Sequence, residues 1–154
     1  MANITVFQKL EQGVSAGLLA TIPMTAVMVA AQHLGLVGKA PPAKITDAML
    51  DKADVAAPPS ERRLLTALAH FGFGAASGAL FSALRPGRPS LARAAVEGIA
   101  FGTAVWGASY AGWVPALGIM PPPTRDRKDR QLSMVIAHWV FGAAVGLIVA
   151  ARRR

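Results

Sequence analysis

The sequence predicts an all-α integral membrane protein, a four-helix bundle built from two tandem helical hairpins. Three observations predict it. Charged residues are absent from four long stretches, Gln12–Gly38, Leu64–Leu84, Gly98–Thr124 and Gln131–Ala151. A helix needs about 20 apolar residues to cross roughly 30 Å of hydrocarbon, and each stretch is long enough. Second, Ala69–Gly78 (AHFGFGAASG) recurs as Ala137–Gly146 (AHWVFGAAVG), at the same place in its own apolar run. This points to a parallel internal repeat, with one hairpin over 13–84 and the other over 94–151. Third, every predicted span carries a Gly-xxx-Gly pair: Gly13/Gly17, Gly74/Gly78, Gly98/Gly102 and Gly142/Gly146. Lipid tails are as apolar as leucine, so helices pair in a bilayer through close backbone approach, which small residues permit.

The bulk properties agree. A chain of 154 residues is one domain. It is 53% hydrophobic and 16% charged, too few charges to cover a soluble surface around four apolar helices. The net charge of +8 lies in short loops and at the C-terminus, beside the ends of the apolar runs. Topology signals and lipid-phosphate contacts act there. No basic face of a soluble module is visible, which excludes nucleic acid as a partner. There is no cysteine, so neither disulfides nor thiolate chemistry are available.

The elements follow in chain order. Met1–Gln12 is a short polar lead. The first span covers 13–37, and its apolar stretch is longer than that of a cleaved signal peptide. Pro23 should kink it, with Thr21 and Thr25 nearby to satisfy the freed backbone. The loop Gly38–Arg63 contains two proline pairs around a short amphipathic helix, Ile45–Ala53, with Thr46 or Asp47 as its cap. That helix either lies on the membrane surface or is an ordinary solvated turn. The second span is 64–84, followed by the basic loop Arg85–Arg93. The third span, 94–117, is interrupted late by Pro115. A second proline loop, Pro121–Pro123, precedes a charged run, and the last span, 132–151, ends in Arg152–Arg154. Four crossings put both termini on one side with the Arg85–Arg93 loop. The arginines that abut helix ends on that side place it in the cytoplasm.

The unusual polar groups gather in the other half. His70 and His138 are equivalent in the repeat, each about 9 Å deep at 1.5 Å per residue. His33 ends the first span on the same side. Trp106, Tyr110 and Trp113 stand at i, i+4 and i+7, one face of an α-helix. Three readings of this cluster stay open. The histidines bond neighbouring helices while the aromatic rings anchor at the interface. Alternatively, the histidines hold a haem iron or another metal ion, although no carboxylate at that depth is placed to orient them. The third reading is proton or ion handling. Glu97 follows Arg93 at helical i,i+4 spacing, which accounts for it as an ion pair. The sequence holds no nucleophile–base pair, phosphate loop or acidic metal box. The expectation is therefore a protein that is not an enzyme and has no resident cofactor. Its surroundings are the lipid bilayer, with a second copy or another membrane protein as partner.

The order of a span, a Pro-Pro loop, a span with an early histidine, a third span, a second Pro-Pro loop and a final histidine-bearing span resembles the YagU-like family of small bacterial inner-membrane proteins. The matching places are Ala40-Pro41-Pro42, the His70 segment, Leu117-Gly118-Ile119-Met120-Pro121-Pro122, His138-Trp139 and Arg152–Arg154. This chain has shorter tails and loops. The resemblance implies an inner-membrane protein with cytoplasmic termini. It also implies a link to envelope or acid stress, with the histidine half facing the periplasm. The rival functions are a small oligomeric channel or transporter for protons or ions, and a haem- or metal-binding subunit.

Overall fold

The computed structural model describes residues 5–85, 87 and 89–154. The first four residues, with Pro86 and Arg88 of the basic loop, lie outside the described residues. Among the described residues the chain is all helical. Helix α1 spans Val6–His33, α2 Pro41–Lys52, α3 Pro59–Leu84 and α4 Leu91–Trp106. A π-helical segment, Gly107–Trp113, runs on into the single turn α5, Val114–Ala116. A 3-10 turn, Pro123–Arg125, then leads to α6, Lys128–Arg152. Helices α1, α3 and α6 are long and apolar enough to cross a membrane.

Several boundaries differ from those read in the sequence. Helix α1 starts before its apolar run because Thr5 caps it. The Gln8 N–H donates to Thr5 Oγ1 at 3.2 Å, and the Thr5 N–H donates to Gln8 Oε1 at 2.9 Å. Helix α2 begins at the first proline pair, not after it. Ala40 is its N-cap, and Pro41, with φ already set for a helix, occupies its first turn. Thr46 therefore lies inside the helix, its hydroxyl donating to Pro42 O at 3.0 Å. The second proline pair opens α3 in the same way. The third predicted span is not one regular α-helix. It is wound as α4, a π segment and α5, with Gly112 at φ −103°, ψ −105°. Near Pro23, the Thr21 and Thr25 hydroxyls donate to Gly17 O and Thr21 O at 2.8 and 2.7 Å. Neither reaches the Leu19 carbonyl that the proline leaves without a donor.

Backbone contact joins the long helices in two pairs. In α1–α3, a Cβ placed on Gly13 would lie 2.6 Å from Ala79 Cα, and one on Gly78 would lie 2.7 Å from Gly17 Cα. In α4–α6, a Cβ on Gly98 would lie 2.8 Å from the Gly142 carbonyl carbon. Gly17, Gly74, Gly102 and Gly146 face their partner helices as closely. The pairs join along α1 and α6, where Ala16, Ala20 and Met24 pack with Ala137, Phe141 and Val145. Helices α3 and α4 touch at the end they share with the basic loop, through Phe81 on Phe101 (centroids 5.2 Å apart) and Arg85 on Glu97. They make few other contacts. The seam between α1 and α6 is thus closed, while the one between α3 and α4 opens towards the proline loops.

Candidate functional site

That opening leads into a cavity of about 240 Å³ in the proline-loop half, reached by α1, α2, α3, α6 and the π segment. Its walls are mostly apolar, with Met24, Met28, Met120 and Met134 among them. Phe73 and Trp113 line it yet remain 48% and 36% exposed, so they stand at its mouth between α3 and the π segment.

Two histidines bring polar chemistry into this wall. His70, on α3, has Nε2 3.2 Å from Thr25 Oγ1 of α1. The Thr25 hydroxyl has one proton and gives it to Thr21 O at 2.7 Å. It must therefore accept from His70, which assigns the proton to Nε2 and leaves Nδ1 with a lone pair. His138, on α6, has Nδ1 2.7 Å from Met134 O. A carbonyl only accepts, so Nδ1 carries the proton and Nε2 keeps the lone pair. Both rings line the cavity. Each therefore brings one hydrogen-bond acceptor, or one metal-ligating nitrogen, to a mostly apolar wall.

The remaining predicted residues divide. Tyr110 and Trp113 line the cavity, and Trp106 stacks behind on Tyr110 at 5.6 Å between centroids. The α-helical spacing that grouped these three does not hold, because residues 107–113 are wound as a π-helix. His33 is exposed at the end of α1 and does not join the cavity. The eight predicted glycines lie in the two paired interfaces, with Gly74 also reaching the cavity wall.

Sequence reasoning missed three parts of the site. The first is Asp126, whose side chain is 3% exposed. It accepts from the Tyr110 hydroxyl and pairs with Arg130 at 3.1 Å. It had looked like one acid in a charged loop. The second is the set of methionines, which recur on α1 at i and i+4 as ordinary core residues do. The third is the roof. Ile45 and Thr46 of α2 close over the cavity, so this helix packs inward as a cover. Lys39 and Arg62 clamp α2 through Asp47, the latter at 3.2 Å, and Arg62 also reaches Asp51 at 3.4 Å. The hydrogen bond from Lys39, with that from Arg62, holds the Asp47 carboxyl below its ordinary pKa against a smaller opposing effect of burial. Among the described residues, no group of three or more histidine and carboxylate side chains is placed to hold a metal ion.

Residues 7–153 match the model of a family described as a family of unknown function (DUF6789). The chain belongs to that family. No curated protein and no solved structure matches it.

Proposed function

We propose that this DUF6789 protein is a non-enzymatic integral protein of the bacterial inner membrane, whose cavity binds an apolar molecule carrying a hydrogen-bond donor. In this reading the chain is a four-helix bundle of two tandem hairpins with both termini in the cytoplasm. The contiguous helical run 91–116 supplies the fourth crossing, and the eight glycines drive pairing within each hairpin. The apolar window of α3 supports the membrane placement, since only 22% of it is buried by the rest of the chain. In water, so large an uncovered apolar face would aggregate.

The observation that carries the binding function is the pair of unprotonated imidazole nitrogens, His70 Nδ1 and His138 Nε2, in an apolar cavity with its mouth at the α3/α4 seam. Ligand sites have this composition, an apolar wall with a few polar groups that fix orientation. The mouth lies along the helices, so the ligand enters from the lipid. The resemblance to YagU-like proteins extends the proposal to envelope or acid stress, with the cavity on the periplasmic side. A metal-binding subunit is the second reading. The methionine thioethers beside the two imidazoles are a soft ligand set that suits Cu(I).

Solvent extraction of the purified protein followed by mass spectrometry tests the first reading. One hydroxyl-bearing apolar species should be retained stoichiometrically. It should be lost on Ser77→Trp, which fills the cavity, with the helix content unchanged. Identical extracts from the two proteins would refute cavity binding, and stoichiometric copper in the native protein alone would favour the second reading. The absence of cysteine makes topology simple to test. Ser90→Cys and Arg125→Cys should react with a membrane-impermeant maleimide from opposite sides, and labelling from one side would remove the fourth crossing.

A further inference from the structure

We infer that Arg85 and Arg153 form a site for a phosphate group at the glycine-packed end of the helices. The inference rests on the membrane placement proposed above, and not on the cavity, which lies in the other half.

Both arginines are almost fully buried, with 5% and 2% of their surface exposed. A buried cation is tolerated when an anion meets it. Arg153 is held by neutral acceptors instead: Ser82 O at 2.8 Å, Ser82 Oγ at 2.7 Å, Arg85 O at 3.0 Å and Gln12 Oε1 at 3.4 Å. Arg85 reaches one carboxylate, Glu97, through Nη2. Glu97 is shared with Arg93, whose Nε lies 2.6 Å away. Arg85 Nε and Nη1 are buried and have no hydrogen-bond partner among the described residues. The Phe81 ring lies 5.3 Å from the Arg85 guanidinium carbon and covers a face of it, which leaves these in-plane N–H groups unmatched.

The charges do not balance. Arg85 and Arg93 share Glu97, while Arg153 beside Arg85 pairs with no carboxylate among the described residues, and Arg152 lies on Ser15 and the Gln12 carbonyl. Burial, with the neighbouring Arg85 charge, pulls the pKa of Arg153 below the usual arginine value. An additional anion is needed, and its chemistry is constrained. The planar guanidinium fork matches a phosphate oxygen pair. The cluster also stands where α3 and α6 end, the level of lipid phosphates in the proposed placement. Arg85 lies just past α3 in extended backbone, so its side chain can turn towards the anion without unwinding the helix.

A lipid headgroup and free phosphate share this chemistry. The full chain in a phosphate-free maltoside detergent separates them, with the unfolding midpoint as readout. Three additions are compared: phosphatidylglycerol, diacylglycerol with the same chains, and inorganic phosphate against chloride at matched ionic strength. The midpoint should rise by about 4 °C when the binding species stands tenfold above its Kd. A rise with phosphatidylglycerol alone identifies a headgroup site, and an equal rise with inorganic phosphate identifies a free anion. Arg85→Gln should abolish the shift, and the exposed Arg154→Gln should leave it intact. Glu97→Gln, which removes the competing carboxylate, should enlarge it. This last variant carries the test if Arg85→Gln does not fold. No shift with either phosphate compound would overturn the inference. So would an equal shift with diacylglycerol, a shift that Arg154→Gln removes, or one that Glu97→Gln fails to enlarge. Single-sided cysteine labelling would instead remove the fourth crossing, a failure of the proposed function that the unfolding shifts do not read.

Discussion

Gly142→Ala is expected to destabilise the protein while the chemically identical Gly72→Ala stabilises it. At Gly142 the added methyl would sit 2.7 Å from the Gly98 carbonyl carbon and 3.1 Å from Gly102 N, against an ordinary contact of 3.4–4 Å. These atoms are backbone of α4 and cannot rotate away, so the two helices must part by about 1 Å. A gap of that size forfeits about a quarter to a half of each dispersion contact along the seam. Such overpacking costs about 1–3 kcal/mol, and the better helix propensity of alanine offsets about 1 kcal/mol. The net loss is up to about 2 kcal/mol, a fall of up to roughly 4–8 °C in Tm. At Gly72 an added methyl meets nothing within 4 Å, so the propensity gain stands alone, a rise of about 2–4 °C. Circular dichroism melts of both variants in one detergent measure this. Shifts of the same sign would refute the claim that backbone contact, rather than glycine's general abundance in membrane helices, sets these positions.

Thr25→Val removes the acceptor of the His70 Nε2 proton, at a cost of about 0.6–1 kcal/mol. Nitrogen NMR of the imidazole should then show mixed tautomers in place of a fixed Nε2–H, and an unchanged spectrum would refute the tautomer assignment. Tyr110→Phe leaves the buried Asp126 short of a donor and should cost about 1.5–3 kcal/mol, read as a lower Tm that Asp126→Asn does not add to fully. The depressed pKa of Asp47 gives its clamp on α2 a definite pH dependence. The stabilisation is fully present above the ordinary aspartate value of about 3.9, and is lost as pH falls through the lower folded value. The protection factors against hydrogen exchange in α2 should therefore fall at acid pH, relative to the intrinsic rate, while those of α1 and α6 hold. Asp47→Asn should show the lowered protection already at neutral pH.

The long helices were legible because charge-free length is a property of each segment alone. The glycine pairs were visible as i,i+4 spacings, each of which fixes one face of its helix. The site was legible in part: His70 and His138 could be matched through the repeated segment. Nothing local marked His33 as the one that would stay outside. Tyr110 and Asp126 are separated by a proline loop, and no short-range pattern predicts that they meet.

What the sequence by itself determined, then, is which segments are helical and apolar, and where backbones can touch. Only the tertiary structure decided that the α1/α6 seam closes while the α3/α4 seam opens, that α2 roofs the resulting cavity, and that Arg85 and Arg153 are buried together. Hydropathy and spacing are sums over single residues along one chain segment. The choice of seam depends on how side chains from distant segments fill the same volume. Alanines against Phe141 and Val145 fill one seam, while the π winding at Gly107–Trp113 interrupts the α-helical run along the other.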